Sequence, residues 1–282
     1  MILENIKPLE HTNRAKTCLV TGASGGIGGA IANILSENGY NVFIQGRDQK
    51  KLQQLKLSMT GHCEILLGDL NRPEDRANIL NIAFANQPID LLVNAAGLSS
   101  FVPFEETKPE LINQLMQTNL ITPMLFTQAF LAKSTSTSER LSGPEQLNVI
   151  QVGSAFGYIG YPGFSAYSAS KFGLRGFTEA LAREYSDTGI RFAYFAPRAT
   201  HTHINTASVD DMNKALGNKM DSVDVVAKAF MRFLNSHKRE QVVGWPEKLF
   251  ARVNGFMPSL VDNAIQSKLS IIKRYLQPSL PS

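Results

Sequence analysis

Two rhythms of apolar residues alternate along the first 200 residues of this chain. Short runs that are apolar almost throughout (Thr17–Thr21, Asn41–Gly46, Cys63–Leu67, Leu91–Asn94, Leu147–Val152 and 190–195) predict β-strands. Between them, apolar positions recur with the period of a helix. Over Gly26–Glu37, Ile27, Ile31, Ile34 and Leu35 share one face, and 49–59 reads as the next helix. Strands with no polar face need cover on both sides. The alternation therefore predicts an α/β fold, a doubly wound parallel sheet with helices on both faces.

Two stretches break the rhythm. Residues 133–146 (KSTSTSERLSGPEQ) are polar and turn-rich and read as a surface loop. After Pro197 the chain is irregular, then helical over Val223–Leu234, with 241–245 (QVVGW) as a last strand. Residues 247–276 read as helical: Val261, Ile265, Leu269, Ile272 and Leu276 recur at helical spacing, with Lys268, Lys273 and Arg274 between them. No linker sets this tail apart, so 1–282 is read as one domain, with a core over about 15–245 and a helical extension over about 246–282.

Composition narrows the class. With 43% hydrophobic and 18% charged residues over 282 positions, the chain is globular. No apolar run is long enough to span a bilayer. MILENIKPLEHTNRAK lacks the apolar segment of a secretory signal. Cys18 and Cys63 have neither metal-ligand spacing nor the number a disulfide framework needs, which fits a reducing, cytoplasmic setting. Residues 231–282 hold eight Lys and Arg against three Asp and Glu, while the remainder is close to neutral. That is too diffuse for a nucleic-acid partner and reads as a solvated basic face, with attraction to an anionic membrane as the other reading.

Thr21-Gly22-Ala23-Ser24-Gly25-Gly26-Ile27-Gly28 joins the first strand to the first helix. A helix N-terminus presents free backbone N–H groups, and glycine lets a phosphate come close to them. In this strand-to-helix setting the glycines predict a dinucleotide site, with the spacing Gly22, Gly26, Gly28 rather than G-x-G-x-x-G. The second strand ends in Gln45-Gly46-Arg47, where an acidic residue would accept the ribose hydroxyl of NAD. No carboxylate stands at the strand end to repel a phosphate, and Arg47 can pair with one bidentately. With Ser24 as a second donor, the expected cofactor is NADP(H). Asp48 is expected to cap the helix that follows.

Within 153–172 (GSAFGYIGYPGFSAYSASKF), Tyr167 and Lys171 are one helical turn apart on one face. A free tyrosine has a pKa of about 10, and a neighbouring ammonium stabilises the phenolate and lowers it. The pair suits proton transfer to or from a carbonyl or alcohol oxygen. Ser154 stands at the end of the preceding strand, where a hydroxyl can hold the reacting oxygen. Asn94-Ala95-Ala96-Gly97 ends the fourth strand, and Asn119 sits mid-helix, where an amide has no helical purpose.

With these motifs in this order, TGASGGIG at 21–28, Asp69-Leu70, NAAG at 94–97, Asn119, Ser154 and YSASK at 167–171, the chain resembles the short-chain dehydrogenase/reductase family over about residues 15–245. The glycine spacing and the Tyr-x3-Lys match its one-domain oxidoreductase branch. The resemblance implies a Rossmann-like sheet of about seven strands and hydride transfer between a nicotinamide and a ketone or secondary alcohol. It implies Tyr167 as general acid/base, Lys171 on the nicotinamide ribose, Ser154 orienting the substrate oxygen and Asn119 holding a relay water. Gly22, Ser24, Gly25, Gly26, Ile27, Gly28, Arg47, Asp69, Leu70, Asn94, Ala95, Ala96, Gly97, Pro197 and Thr202 would line the cofactor site together with Tyr167 and Lys171. A dimer or tetramer through the helices bearing Asn119 and Tyr167 is implied as well. There are departures. The family's Pro-Gly after the sixth strand is Pro197-Arg198, Gly25 stands where NADP-binding members often have a basic residue, and the Asn119–Ser154 gap is lengthened by 133–146.

The substrate pocket is expected from Phe156, Tyr158, Tyr161 and Phe164, and from Thr200, His201, His203, Ile204, Met212 and Leu216. Such walls suit an apolar ketone. Phe156, Tyr161 and His201 are the expected substrate contacts beside Ser154, with no metal at His201-x-His203. The tail from Trp245 is open to reading as a lid, an oligomer contact or a peripheral membrane contact through Leu249, Phe250, Val253, Phe256 and Met257 with Lys248 and Arg252. A dinucleotide-sensing protein without catalysis is the rival to the oxidoreductase reading. Retention of Asn119, Ser154, Tyr167 and Lys171 speaks against it.

Overall fold

The computed structural model describes residues 14–135 and 147–276. Seven parallel strands, β1 (Thr17–Thr21), β2 (Asn41–Gly46), β3 (Cys63–Leu67), β4 (Leu91–Asn94), β5 (Leu147–Val152), β6 (Ile190–Ala196) and β7 (Glu240–Val242), form one sheet in the order β3-β2-β1-β4-β5-β6-β7. The strand order reverses between β1 and β4, in register Cys18 with Leu91 through Thr21 with Asn94. That junction opens a crevice at the carboxyl ends of the strands, where ligands bind in such sheets.

Each apolar strand serves two cores. Cys18, Val20, Val42, Ile44, Leu91, Val93, Ile150, Val152, Ala193 and Phe195 pack on one face, with α1 (Gly26–Glu37). Phe230 and Phe233 of the helix over Val223–Leu234 complete that layer. Leu19, Phe43, Leu92, Val149 and Phe192 point the other way, toward Phe126 and Phe130. In chain order the helices after α1 are α2 (Gln49–Ser58), α3 (Pro73–Ala83), α4 (Pro109–Met116), α5 (Thr122–Thr135), α6 (Ser165–Glu184), α7 (Ala207–Ala215) and α8 (Val223–Leu234). The side chain of Asp48 accepts from Lys51 N at 3.1 Å and so caps α2, as expected.

Two sequence expectations change at the C-terminus. The last strand is Glu240–Val242 rather than 241–245, because Gly244 takes a φ of +96° that turns the chain out of the sheet. The single helical run over 247–276 is three helices: α9 (Glu247–Phe256), α10 (Pro258–Gln266) and α11 (Leu269–Leu276). Pro258 lacks the N–H that would continue α9, and it sits instead in the first turn of α10. Of the loop expected over 133–146, residues 133–135 belong to α5 and the rest lie outside the described residues.

Beneath the carboxyl end of β5 the packing leaves no room. A Cβ on Gly153 would overlap the Tyr194 ring, and one on Gly157 would overlap its hydroxyl. Gly153→Ala should lower stability by about 1–3 kcal/mol through overpacking. Gly160→Ala, where nothing stands within 4 Å of the new methyl, should move it by less than about 0.5 kcal/mol. Thermal melts of the two variants side by side would check this.

Candidate active site

A cleft of about 660 Å³ opens over the β1–β4 junction. At one end it is walled by backbone. A Cβ at Gly22, which holds φ +66°, would come within 2.5 Å of Ala96 Cα. A Cβ at Gly28 would strike the Gly22 carbonyl. Gly26 faces Thr202, whose hydroxyl oxygen is buried without a hydrogen-bond partner. These close approaches pack the loop tightly enough to leave its backbone as the cleft wall, beside an unpaired polar atom. The lining fits a nicotinamide dinucleotide: the N-terminus of α1 would hold its phosphates, and Thr202 could offer its hydroxyl to the carboxamide. Ser24, Gly25, Ile27, Asp69, Leu70, Asn94, Ala95, Ala96, Gly97 and Pro197 also line the cleft. Thr21 ties the two strand ends together, its hydroxyl accepting from Ala95 N at 3.1 Å.

At the rim, Arg47 is largely exposed and stands 3.8 Å from Asp69, too far to be held tightly. Ser24, Arg47, Asp48 and Lys51 frame a shallow depression beside the ribose end. Lys51 is a cation that sequence reasoning passed over. It lies in the first turn of α2, its ammonium 3.7 Å from the Asp48 carboxylate, and lines the same depression as Arg47.

At the other end of the cleft Lys171 is buried, and Ser154 and Tyr167 are half-buried. Lys171 Nζ donates to Val152 O at 3.2 Å and lies 5.8 Å from the Tyr167 ring centroid. The Ser154 hydroxyl stands close enough to the Tyr167 phenol to favour its ionised form, and it accepts from Phe156 N at 3.1 Å. The sequence expectation was a tyrosine lowered by its lysine. Here burial dominates and pushes the phenol up, with Ser154 pulling the other way. Burial likewise pulls the Lys171 ammonium down to about 8. Near neutrality the tyrosine is thus protonated and the lysine charged.

Asn119 is fully buried in a π-turn over Gln117–Ile121 between α4 and α5. Its Oδ1 accepts from Leu98 N at 2.8 Å, and its Nδ2 donates to Leu98 O at 2.9 Å and to Ser170 Oγ at 3.1 Å. The amide pins the Gly97–Leu98 turn to α6 beside Lys171 and is not part of the cleft wall. Tyr194 was read only as a strand residue. Its hydroxyl accepts from Ser154 N and donates to Lys171 O, each at 3.2 Å. The available signal was a tyrosine in a wholly buried strand, whose hydroxyl must find a partner.

Phe156, Tyr161, Phe164, Val209, Met212 and Ile265 line the substrate end. Phe156 stacks on Tyr161 at 5.0 Å between centroids. His201 does not join them: it is exposed, and His203 lines the cleft instead. Tyr158 also points away, donating to Glu240 Oε2 at 2.9 Å under the Arg175 guanidinium, and Ile159 takes the wall position. Leu216 packs behind the wall rather than in it. The tail closes this end: Phe250, Val261, Ala264 and Lys268 line it, and Ile272 and Tyr275 pack against Phe164 and Met212.

A family model for short chain dehydrogenase matches residues 16–213. The chain belongs to the short-chain dehydrogenase family, and with it to the oxidoreductases that act on carbonyl and alcohol groups. It is 33% identical to a 3-oxoacyl-[acyl-carrier-protein] reductase of Bos taurus over 76% of this chain and 89% of that one. It is 33% identical to an acetoacetyl-CoA reductase of an Acinetobacter species over 71% and 81%. Among solved structures, a short-chain dehydrogenase from Streptomyces avermitilis superposes with a TM-score of 0.73 at 24% identity, covering 92% of this chain and 97% of that chain. One from Sphingobium yanoikuyae in complex with NADPH gives 0.69 at 24%, covering 90% and 95%.

The family match ends before the tail, and Arg198 connects the two parts. Its nearly buried guanidinium grips Asp221 bidentately at 2.6 and 2.8 Å, donates to Trp245 O at 3.1 Å and reaches Glu247 at 3.5 Å. The bulk and charge brought by the departure from Pro-Gly are thus taken up as a brace to the start of α9. Arg198→Gly should destabilise the protein by about 3 kcal/mol, because it strands a largely buried Asp221 carboxylate. A denaturant titration would measure it.

Proposed function

We propose that this protein is an NADPH-dependent reductase that delivers hydride to the ketone of an apolar substrate, 3-oxoacyl thioesters among them. The observation that carries the reading is the cluster of half-buried Ser154 and Tyr167 with buried Lys171, set between a glycine-walled cradle and an aromatic pocket. NADPH, when bound, supplies a hydride from its nicotinamide ring.

Tyr167 gives its phenolic proton to the carbonyl oxygen as negative charge develops there, and Ser154 holds that oxygen in place. Lys171 supplies the positive charge that makes the phenol a stronger acid at that moment, while Val152 O fixes its ammonium. Asn119 and Tyr194 act one layer out, as positioning residues for the Leu98 turn and for the Ser154 segment. Arg47, Ser24 and Lys51 favour a 2′-phosphate at the ribose. Phe156, Tyr161 and Phe164 receive the apolar part of the substrate, and the two relatives whose names specify 3-oxoacyl and acetoacetyl substrates support an acyl chain there.

Exposed Ile121, Met124, Leu125 and Phe172 on α5, α6 and the π-turn support self-association through this face. Cys18 and Cys63 are both free and buried, which supports a reducing cytoplasm. Among the described residues no helix is long and apolar enough to cross a membrane.

Tyr167→Phe should cut ketone reduction by at least about a hundredfold and leave NADPH affinity nearly intact, as read by NADPH absorbance across a panel of 3-oxoacyl thioesters and aromatic ketones. The rate should be flat near neutrality and fall as pH rises through about 8, where Lys171 loses its charge. A pH profile of kcat checks this, and a rate that climbs through that range would contradict the acid assignment. Arg47→Asp should weaken NADPH relative to NADH by about tenfold or more, since a charge-assisted contact becomes a repulsion.

A further inference from the structure

The outer face of the tail helices is apolar, exposed and framed by cations. Trp245 is 67% and Phe256 87% exposed, and Leu249, Met257 and Leu260 are exposed with them. Along α9, Leu249, Arg252 and Phe256 follow at steps of three and four, the spacing of one helical face. The opposite face is committed inward. Ala251 is buried, Phe250 lines the cleft, and Asn254 Nδ2 donates to Tyr158 O at 2.9 Å. On α10, Val261 and Ile265 line the cleft while Leu260 faces out.

Lys248 and Arg252 stand exposed beside the patch, and neither forms an ion pair among the described residues. Of the two acids in this stretch, Glu247 is already engaged by Arg198, and Asp262 stands exposed on α10 beyond Leu260. Large exposed side chains grouped in this way mark an interaction site rather than ordinary surface.

We propose that this face docks on a bilayer surface containing anionic lipid, with Trp245, Leu249, Phe256, Met257 and Leu260 entering the interface and Lys248 and Arg252 on the headgroups. A tryptophan beside aliphatic side chains, with cations at the polar edge, is what a shallow interfacial site takes. A second copy of the chain fits less well, since a two-fold contact through this face would gather the unpaired cations Lys248 and Arg252 of both copies into one interface. The helices that would lie on the membrane also line the mouth of the cleft with their inner faces. The docked protein would thus hold that mouth near the lipid. Docking itself does not depend on the reductase reading.

Trp245 is the single tryptophan of the chain, so its fluorescence reports on this face alone. The full-length protein is mixed with vesicles of phosphatidylcholine alone, or of equal parts phosphatidylcholine and phosphatidylglycerol. The expected result is a blue shift and co-sedimentation with the anionic vesicles only, weakened by added salt. Phe256→Asp should lower vesicle affinity by at least about tenfold with an unchanged melting temperature. Emission that stays at the hydrated wavelength with protein left in the supernatant overturns the proposal, as does equal binding to both vesicle types. A concentration-dependent dimer that Phe256→Asp dissolves, seen by analytical ultracentrifugation without vesicle binding, assigns the face to a second copy and also overturns it. Reduction of a soluble ketone, measured alongside, separates loss of docking from failure of the reductase reading.

Discussion

A single buried phenol, that of Tyr194, holds the reacting end of the cleft together. It reaches from β6 under the end of β5 and bonds backbone at Ser154 and at Lys171. Those are the two segments that bring the serine hydroxyl and the tyrosine–lysine turn to one place. The bridge works because residues 153 and 157 are glycines: any side chain there would displace the ring. The alignment of Ser154 with Tyr167 therefore rests on hydrogen bonds to a third side chain and on a packing constraint at two glycines.

Much of the fold was legible in the chain because its cause is local. Apolar runs bounded by turns became β1 to β6 nearly residue for residue, and Asp48 capped the helix it was expected to cap. The glycine cradle was legible for the same reason, since no other residue tolerates those approaches. What escaped depended on tertiary geometry. Tyr158 and Tyr161 are alike in sequence, yet one faces Glu240 and the other the cleft, because the turn after Ser154 sets their directions. His201 and His203 differ likewise: the strand-like bridge of Thr200 to Asp221 turns the first outward. Helical spacing across Pro258 concealed a break that the proline itself announced.

The electrostatics of the Tyr167–Lys171 pair illustrate a second limit. Spacing alone gives the sign of an interaction between two groups and says nothing of how much water each keeps. In the folded protein the loss of water governs both: the phenol rises and the ammonium falls. Both shifts leave the pair in the protonation state that a proton donor requires near neutrality.

The tail contributes a wall of the cleft but no strand of the sheet, and among the described residues it meets the segment from Ser154 to Lys171 through side-chain packing and the Asn254 hydrogen bond to Tyr158 O, with the Arg198 brace behind them. Evolution can therefore rewrite α9 to α11, and with them the shape of molecule admitted, while β5 and α6 stay as they are. Part of the cleft wall is thus carried on a stretch that mutates separately from the Ser154–Lys171 segment, so a lineage with this architecture can change its diet without relearning its reaction.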